Sequence, residues 1–342
     1  MSASGYVWLE GGHWGLLTAV YLFFATLGGG AYLAGLVAYA LGRDDRRSEP
    51  MALARWAFLT AVVATGIAGI AILAHLARPL SGLLFPLTLT EFGSWITRGT
   101  WILVTLGALA GLQAFWFHFG RLGRGAEGGS AVLRKLAAVV GVEGLLDGAA
   151  DATRPGETGF WIVAVLGLLP ALGTVYTGFE LAVVETVPLW NHPTLLPALF
   201  VVSGVASGFA LALALTIAFD DATDRLVVGF ASAVSLGLLL TGGLLWALLN
   251  ALDDGPAASE SMAQLDGGSL SAVVTLLAAG IVVSVVASPI LAWLWHARDE
   301  TTVARWVVRP GLVASLLFGV VAIFLIRYVL LIGAVQSPNV VF

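Results

Sequence analysis

The sequence predicts an all-α integral membrane protein: eight transmembrane helices in two four-helix bundles, with both termini on the outer, extracytoplasmic side. Three observations carry this prediction. Hydrophobic residues make up 59% of the 342-residue chain and charged ones only 11%, giving a mean hydropathy of +0.95, well beyond what the core of a water-soluble protein requires. Eight apolar runs are each long enough to cross about 30 Å of hydrocarbon, which takes roughly 20 residues. Basic residues are confined almost entirely to alternate loops.

The spans run over 14–41, 52–75, 97–119, 159–182, 194–218, 226–251, 270–295 and 311–334. They are continuous, without the two-residue alternation of barrel strands, so a β-barrel is excluded. The 13 residues ahead of the first run hold no Lys or Arg, and that run is too long for the apolar part of a cleavable signal; the first span is therefore expected to stay as a signal anchor. Arg43, Arg46, Arg47 and Arg55 are assigned to the first loop, and Arg121, Arg124, Arg134, Lys135 and Arg154 to the third. Arg225 belongs to the fifth, and Arg298, Arg305 and Arg309 to the seventh, which together account for 13 of the 16 basic residues. Basic loops stay in the cytoplasm, so the termini and the even loops face outward. The third loop, near 120–158, has an apolar middle, but Arg134, Lys135, Glu143 and Asp147 within it argue for an interfacial helix in an insert over about 126–158.

Spans one and five share a pattern, "LFFATLGGGAYLAGL" against "LFVVSGVASGFALAL". Both enter from the same side, consistent with a first half over 1–185 and a second over 186–342. The triple glycine is not a phosphate-binding loop, since no strand precedes it and no basic residue follows in place; close helix packing is the better account. The chain has no cysteine, so it can supply neither a thiolate-held iron–sulfur cluster nor a Cys-ligated zinc.

Ionisable groups inside or beside spans are costly and are functional candidates. Here they gather outward: His13, Tyr21, His75, Arg78, Glu91, Arg98, Glu180, Glu185 and His192, against His118 and His296 inward. Glu180 lies one helical turn after Tyr176 and shares its face; a carboxylate at that depth needs a partner, a proton or a water-filled cavity. Four of the others fall in one link, "HLARPLSGLLFPLTLTEFGSWITRGTW", where His75, Arg78, Glu91 and Arg98 sit between two apolar spans. His13 and His192 flank spans and read equally well as interfacial side chains, and Arg78 and Arg98 as snorkelling anchors.

"HLARPL" followed by "SWITRGTW" and then "YTGFELAVVETVPLWNHPTLLPALFVVSG" resembles the NrfD / polysulfide-reductase membrane-subunit family, and the likeness runs from "HWGLLTAVYLFFATLGGGAYLAG" to "IRYVLLIGAVQSPN". The resemblance implies a quinone-interacting integral membrane anchor in the cytoplasmic membrane, with quinone or quinol, menaquinone by expectation, as its cofactor. It also implies a ferredoxin-like iron–sulfur subunit docked on the outer face, wiring the quinone to a molybdopterin or multihaem catalytic subunit. The polar pair on span one maps to Thr18 and Tyr21, where Asn and His would be expected, and Tyr176 matches the "YTG" motif. Where an acidic residue is expected in span two this chain has Ile70, and His75 with Arg78 carry the polarity instead.

On this reading the cofactor-binding residues are Thr18, Tyr21, His75, Arg78, Tyr176 and Glu180. His75 and Glu180 exchange protons, and Glu91 and Arg98 form the bridge to the partner. The chain is then either a non-catalytic anchor or the quinol-oxidising subunit of a larger oxidoreductase; its surroundings are lipid and protein, not nucleic acid. Two competing readings are a haem-b cytochrome-type anchor, disfavoured because His13, His75, His118 and His296 all lie near span ends, and a transporter or proton-conducting bundle. The second is favoured by Arg327 inside span eight and opposed by the lack of a clear pair of broken helices.

Overall fold

A computed structural model describes residues 15–42, 48–76, 79–88, 90–119, 129–220, 225–252, 255–297 and 304–335. Eight helical segments among them are long and apolar enough to cross a membrane, and each predicted span falls on one. The first two are α1 (Leu16–Gly42) and α2 (Ser48–His75). Two single-turn helices, α3 (Pro79–Gly82) and α4 (Phe85–Thr88), lead to α5 (Trp95–His118). A hairpin of α6 (Gly129–Val139) and α7 (Glu143–Thr153) precedes the fourth span, which is split into α8 (Glu157–Gly173) and α9 (Tyr176–Ala182). Then come α10 (Leu195–Phe219), α11 (Arg225–Asn250), the short α12 (Pro256–Leu265), α13 (Ser271–Ala297) and α14 (Arg309–Ile332), the last entered through a wide π-type turn at Ala304–Val308. The described residues contain no β-strand. The end of the bundle at which α1 begins and α14 finishes is termed the upper end.

Helix α1 is the hub. Its most apolar stretch is 72% buried inside the protein, against 22% for α13. It packs against α2, α8, α10 and α14, while α10 in turn meets α2, α11 and α14. The outer helices keep large apolar side chains on their surface, such as Ile162 and Leu169 on α8 and Val282 and Ile290 on α13, as a lipid-facing surface should.

The glycines of "LGGGAYLAG" explain how α1 is held so tightly. A Cβ on Gly28 would meet the Thr65 hydroxyl at 2.8 Å, one on Gly29 the Ala171 carbonyl at 2.6 Å, and one on Gly30 would collide with the Gly204 carbonyl on α10. Gly208 is pressed in the same way against the backbone at Ala31. The two look-alike segments of spans one and five thus cross each other, and small residues let their backbones touch.

Two findings correct the sequence reading. Arg55 is not a loop residue: it is buried inside α2. Its guanidinium donates to both carboxylate oxygens of Asp220, just past α10, at 3.2 and 3.3 Å, and the indole N–H of Trp56 donates to the same carboxylate at 2.5 Å. Arg309 closes the clamp by donating to the carbonyls of Ile217 and Asp220 at 2.8 and 3.1 Å. Helices α2, α10 and α14 are therefore pinned together at the lower end. Asp220→Asn keeps the shape but strands a buried guanidinium, and should cost about 3 kcal/mol of stability, seen as a lower thermal transition in detergent.

Span four, second, is broken rather than continuous. Pro170 cannot donate, and the chain tightens behind it into a turn in which the Thr174 N–H reaches the Pro170 and Ala171 carbonyls at 3.1 and 3.4 Å. The break re-aims α9, which carries Tyr176 and Glu180. In the third loop, Arg134 is held by Asp147 at 2.7 Å and Glu143 at 2.8 Å, and the hydrogen bond to Asp147 raises its already high pKa. With those charges neutralised, Leu136, Val139, Val140 and Leu145 remain exposed on the hairpin, as in an interfacial element.

Candidate functional site

At the upper end, α1, α2, α5 and α9 part to leave a cavity of about 460 Å³, covered by α3 and α4. Most of its wall is apolar, built from Ile72, Leu73, Leu83, Phe85, Leu103 and Val104. Five polar side chains sequence reasoning had singled out converge on it: Thr18 and Tyr21 from α1, His75 from the end of α2, and Tyr176 and Glu180 from α9. The volume and the single polar wall suit an apolar molecule with a polar head.

The polar wall is wired. The Tyr21 hydroxyl donates to Glu180 Oε2 at 3.2 Å and lies 2.6 Å from the Tyr176 hydroxyl. Tyr21 has one proton and gives it to the carboxylate, so the short bond must run from Tyr176 to Tyr21. The chain Tyr176, Tyr21, Glu180 thus ends on a half-buried carboxylate with lone pairs to spare. Thr18 differs in that its buried hydroxyl has no partner within the protein. A buried, unsatisfied hydroxyl facing a cavity is a place for a ligand's polar atom.

Tyr176 owes its position to glycine. Its ring lies against Gly99 on α5 so closely that a Cβ there would overlap it, and Gly178, two residues further on, is packed on Pro197. Sequence reasoning missed both glycines, as well as Thr100 on the cavity wall and the cover itself, in which Gly82, Leu83 and Phe85 line the space. The link at 75–101 stands out in the sequence for its charges, yet its apolar residues Leu83 and Phe85 roof the cavity.

The other predicted residues fall elsewhere. Arg78 lies outside the described residues, as does His13. Glu91 and Arg98 are exposed at the upper surface and do not line the cavity. Arg98 donates from Nε to the Phe92 carbonyl at 2.5 Å and sits 4.6 Å over the Trp95 ring. Trp95 stacks in turn on Phe179 at 5.1 Å, next to Glu180 in the chain, so the exposed guanidinium and the cavity wall share one aromatic support. Ile70, at the position where an acidic residue would be expected, points away from the bundle and is 69% exposed.

His192 accepts the Leu195 N–H at 3.0 Å, helping start α10, and with Glu185 borders a separate small cavity of about 170 Å³. Arg327 is fully buried between α14 and α10, donating to the Phe200 carbonyl at 3.2 Å and to Ser203 at 2.8 Å with its guanidinium against the Phe200 ring. It takes no part in the upper cavity. Among the described residues no group of three or more His, Asp or Glu is arranged to hold a metal ion.

The eight spans make this a multi-pass membrane protein. No curated protein matches the chain, but the model of the family described as "Polysulphide reductase, NrfD" matches residues 10–339, nearly its whole length, and the chain belongs to that family.

Proposed function

We propose that this protein is the quinone-interacting membrane subunit of a respiratory oxidoreductase complex, with the cavity as the quinone site and the upper end facing outward. In this reading electrons pass between the menaquinone or ubiquinone pool and a docked iron–sulfur subunit, which serves a molybdopterin or multihaem catalytic subunit. One observation carries the proposal: an apolar cavity whose single polar wall is a hydrogen-bonded Tyr176–Tyr21–Glu180 chain beside an unsatisfied Thr18 hydroxyl. Family membership supports quinone-linked chemistry, and the distribution of basic loops supports the orientation.

The residues present fit a quinone. Thr18 offers a free hydroxyl and His75 an imidazole at the cavity rim, while the apolar wall takes a ring and tail. A bound quinone supplies two-electron, two-proton chemistry, so the protein must handle protons. Glu180 is placed to take the proton of Tyr21 as Tyr21 takes that of Tyr176 and Tyr176 is reprotonated from the cavity, so that one proton passes along the chain and neither phenol is left charged. His75, at the cavity rim, is placed to accept a second proton.

Electron transfer also needs the partner held at the upper surface. Glu91 and Arg98 are exposed there, and Arg98 is held rigidly on Trp95; an arginine on an aromatic ring is a common anchor at interfaces. Glu91→Lys or Arg98→Glu is expected to release the iron–sulfur subunit when membranes are solubilised, measured by co-purification. Full retention in both variants would take these residues out of the interface. The functional reading is tested by adding a short-chain quinol to the purified complex and following the iron–sulfur signals. Their reduction, with quinone but no haem b bound to this chain, is the expected outcome; haem b on this chain freed of its partners would favour a cytochrome.

A further inference from the structure

The seam between α2 and α5 changes character along its length. In its lower part the two helices touch: a Cβ on Gly107 would meet Thr65 Cγ2 at 3.3 Å, and one on Gly111 would meet Val62 Cγ2 at 3.9 Å. One turn above Thr65 this contact ends. Gly69 has nothing within 4 Å of its Cβ position, and it lines the cavity together with Leu73 on α2 and with Thr100 and Val104 on α5. Thr65, Gly69 and Leu73 follow one another at four-residue spacing, so the cavity stands directly over the closed part of the seam.

At this opening the cavity reaches the outer surface of the bundle. Val104 lines it yet is 46% exposed, and Trp101 and Ala108 on the same flank of α5 are exposed too. On α2 the helical spacing orders the residues from core to outside: Ile72 packs on the core, Gly69 and Leu73 line the cavity, and Gly66 and Ile70 are exposed. Leu83 of the cover forms the upper rim and is itself largely exposed. The rim of Gly69, Leu73, Leu83 and Val104 is therefore apolar throughout. Gly69 lies about 9 Å below His75 at the rise of an α-helix, which sets the opening inside the span rather than at its end.

An apolar rim at that depth meets hydrocarbon chains, and water gains nothing by entering there. We propose that the cavity opens sideways into the bilayer between α2 and α5, and that its ligand carries a long hydrocarbon tail, which leaves by this mouth and lies along α2 over Gly66. The mouth follows from the cavity walls alone; the tail rests on the quinone reading above. Gly66 supplies the room, since nothing lies within 4 Å of its Cβ position and it adjoins Gly69 on the exposed flank. The ligand then exchanges with the membrane beneath the α3 and α4 cover, and the upper surface stays free for a docked subunit.

The mouth is tested with the full chain, stripped of quinone, in phosphatidylcholine bilayers that hold a trace of phosphatidylcholine with a diazirine on its acyl chain. Leu103 and Leu106 are both buried on α5, but only Leu103 lines the cavity. On illumination, adducts at Leu103 are expected to exceed those at Leu106 by about tenfold, because a close-packed interior admits no lipid chain. Val104→Trp plugs the rim from the lipid side and should cut the Leu103 adduct by a similar factor, leaving adducts at the exposed Leu169 of α8 unchanged. No adduct at Leu103, or one that Val104→Trp leaves intact, would overturn the mouth. The tail is tested by Gly66→Trp, which fills the track outside the cavity. Native quinone retained per chain is expected to fall about tenfold, the loss from uncovering roughly two methylene groups, while binding of menadione, a quinone head without the tail, stays unchanged. Equal loss of both, or loss of neither, would overturn the path of the tail. The photolabelling needs no quinone, so the mouth stands or falls apart from the cavity's assignment.

Discussion

Glu180→Gln is expected to lower quinol-driven reduction of the partner by about a hundredfold, the usual contribution of a positioned proton-transfer group, while the complex still assembles. The substitution keeps the side chain's size, and an amide oxygen can still accept the Tyr21 hydrogen bond now made at 3.2 Å to the carboxylate. What it removes is the only group of the Tyr176–Tyr21–Glu180 chain that can take up a proton at ordinary pH, so the chain is intact in geometry and dead in function. His75→Ala should give a smaller loss, because the rim imidazole is one of two proton-handling groups and is only half-buried. Steady-state rates on purified complex, normalised to bound partner, measure both. Wild-type turnover in both variants would remove these residues from the mechanism.

Gly30→Val should be the most damaging change outside the cavity, costing about 3 kcal/mol or more because the side chain cannot be accommodated by a rotamer change. A Cβ there meets the Gly204 carbonyl, and on the other side of the crossing Gly208 is against the Ala31 backbone. Relief requires α1 and α10 to move apart, and α1 carries Thr18 and Tyr21. The variant is therefore expected to melt at lower temperature in detergent and to lose quinol turnover together with stability. Gly242→Val on α11 is the control, since nothing lies within 4 Å of the Cβ position there; equal melting of the two variants would contradict the crossing as described.

Hydropathy made the spans legible because length and apolar content are what a bilayer demands. The polar candidates were legible for the same reason: Glu180 and Tyr176 stand out in a lipid-facing sequence, and their helical spacing put them on one face. Arg55 was misplaced because a charge near a span end reads as loop, whereas its partner Asp220 lies 165 residues away and pairing across that distance has no local sign. The break in span four had a sign, Pro170 followed by Gly173 and Thr174, but transmembrane helices tolerate proline, so it did not announce itself. Gly99 under the Tyr176 ring and the cover made by α3 and α4 depend on tertiary approach, which glycine and leucine do not advertise.

Whether the cavity holds quinone can be decided at Gly69. It lines the cavity, and nothing lies within 4 Å of its Cβ position, so Gly69→Phe can fill the space without disturbing the helices around it. Quinone extracted from the purified protein and quantified per chain should approach one equivalent in the wild type and fall by at least tenfold in Gly69→Phe, with unchanged thermal stability. Equal quinone in the two proteins, or none in either, would contradict the assignment of this cavity.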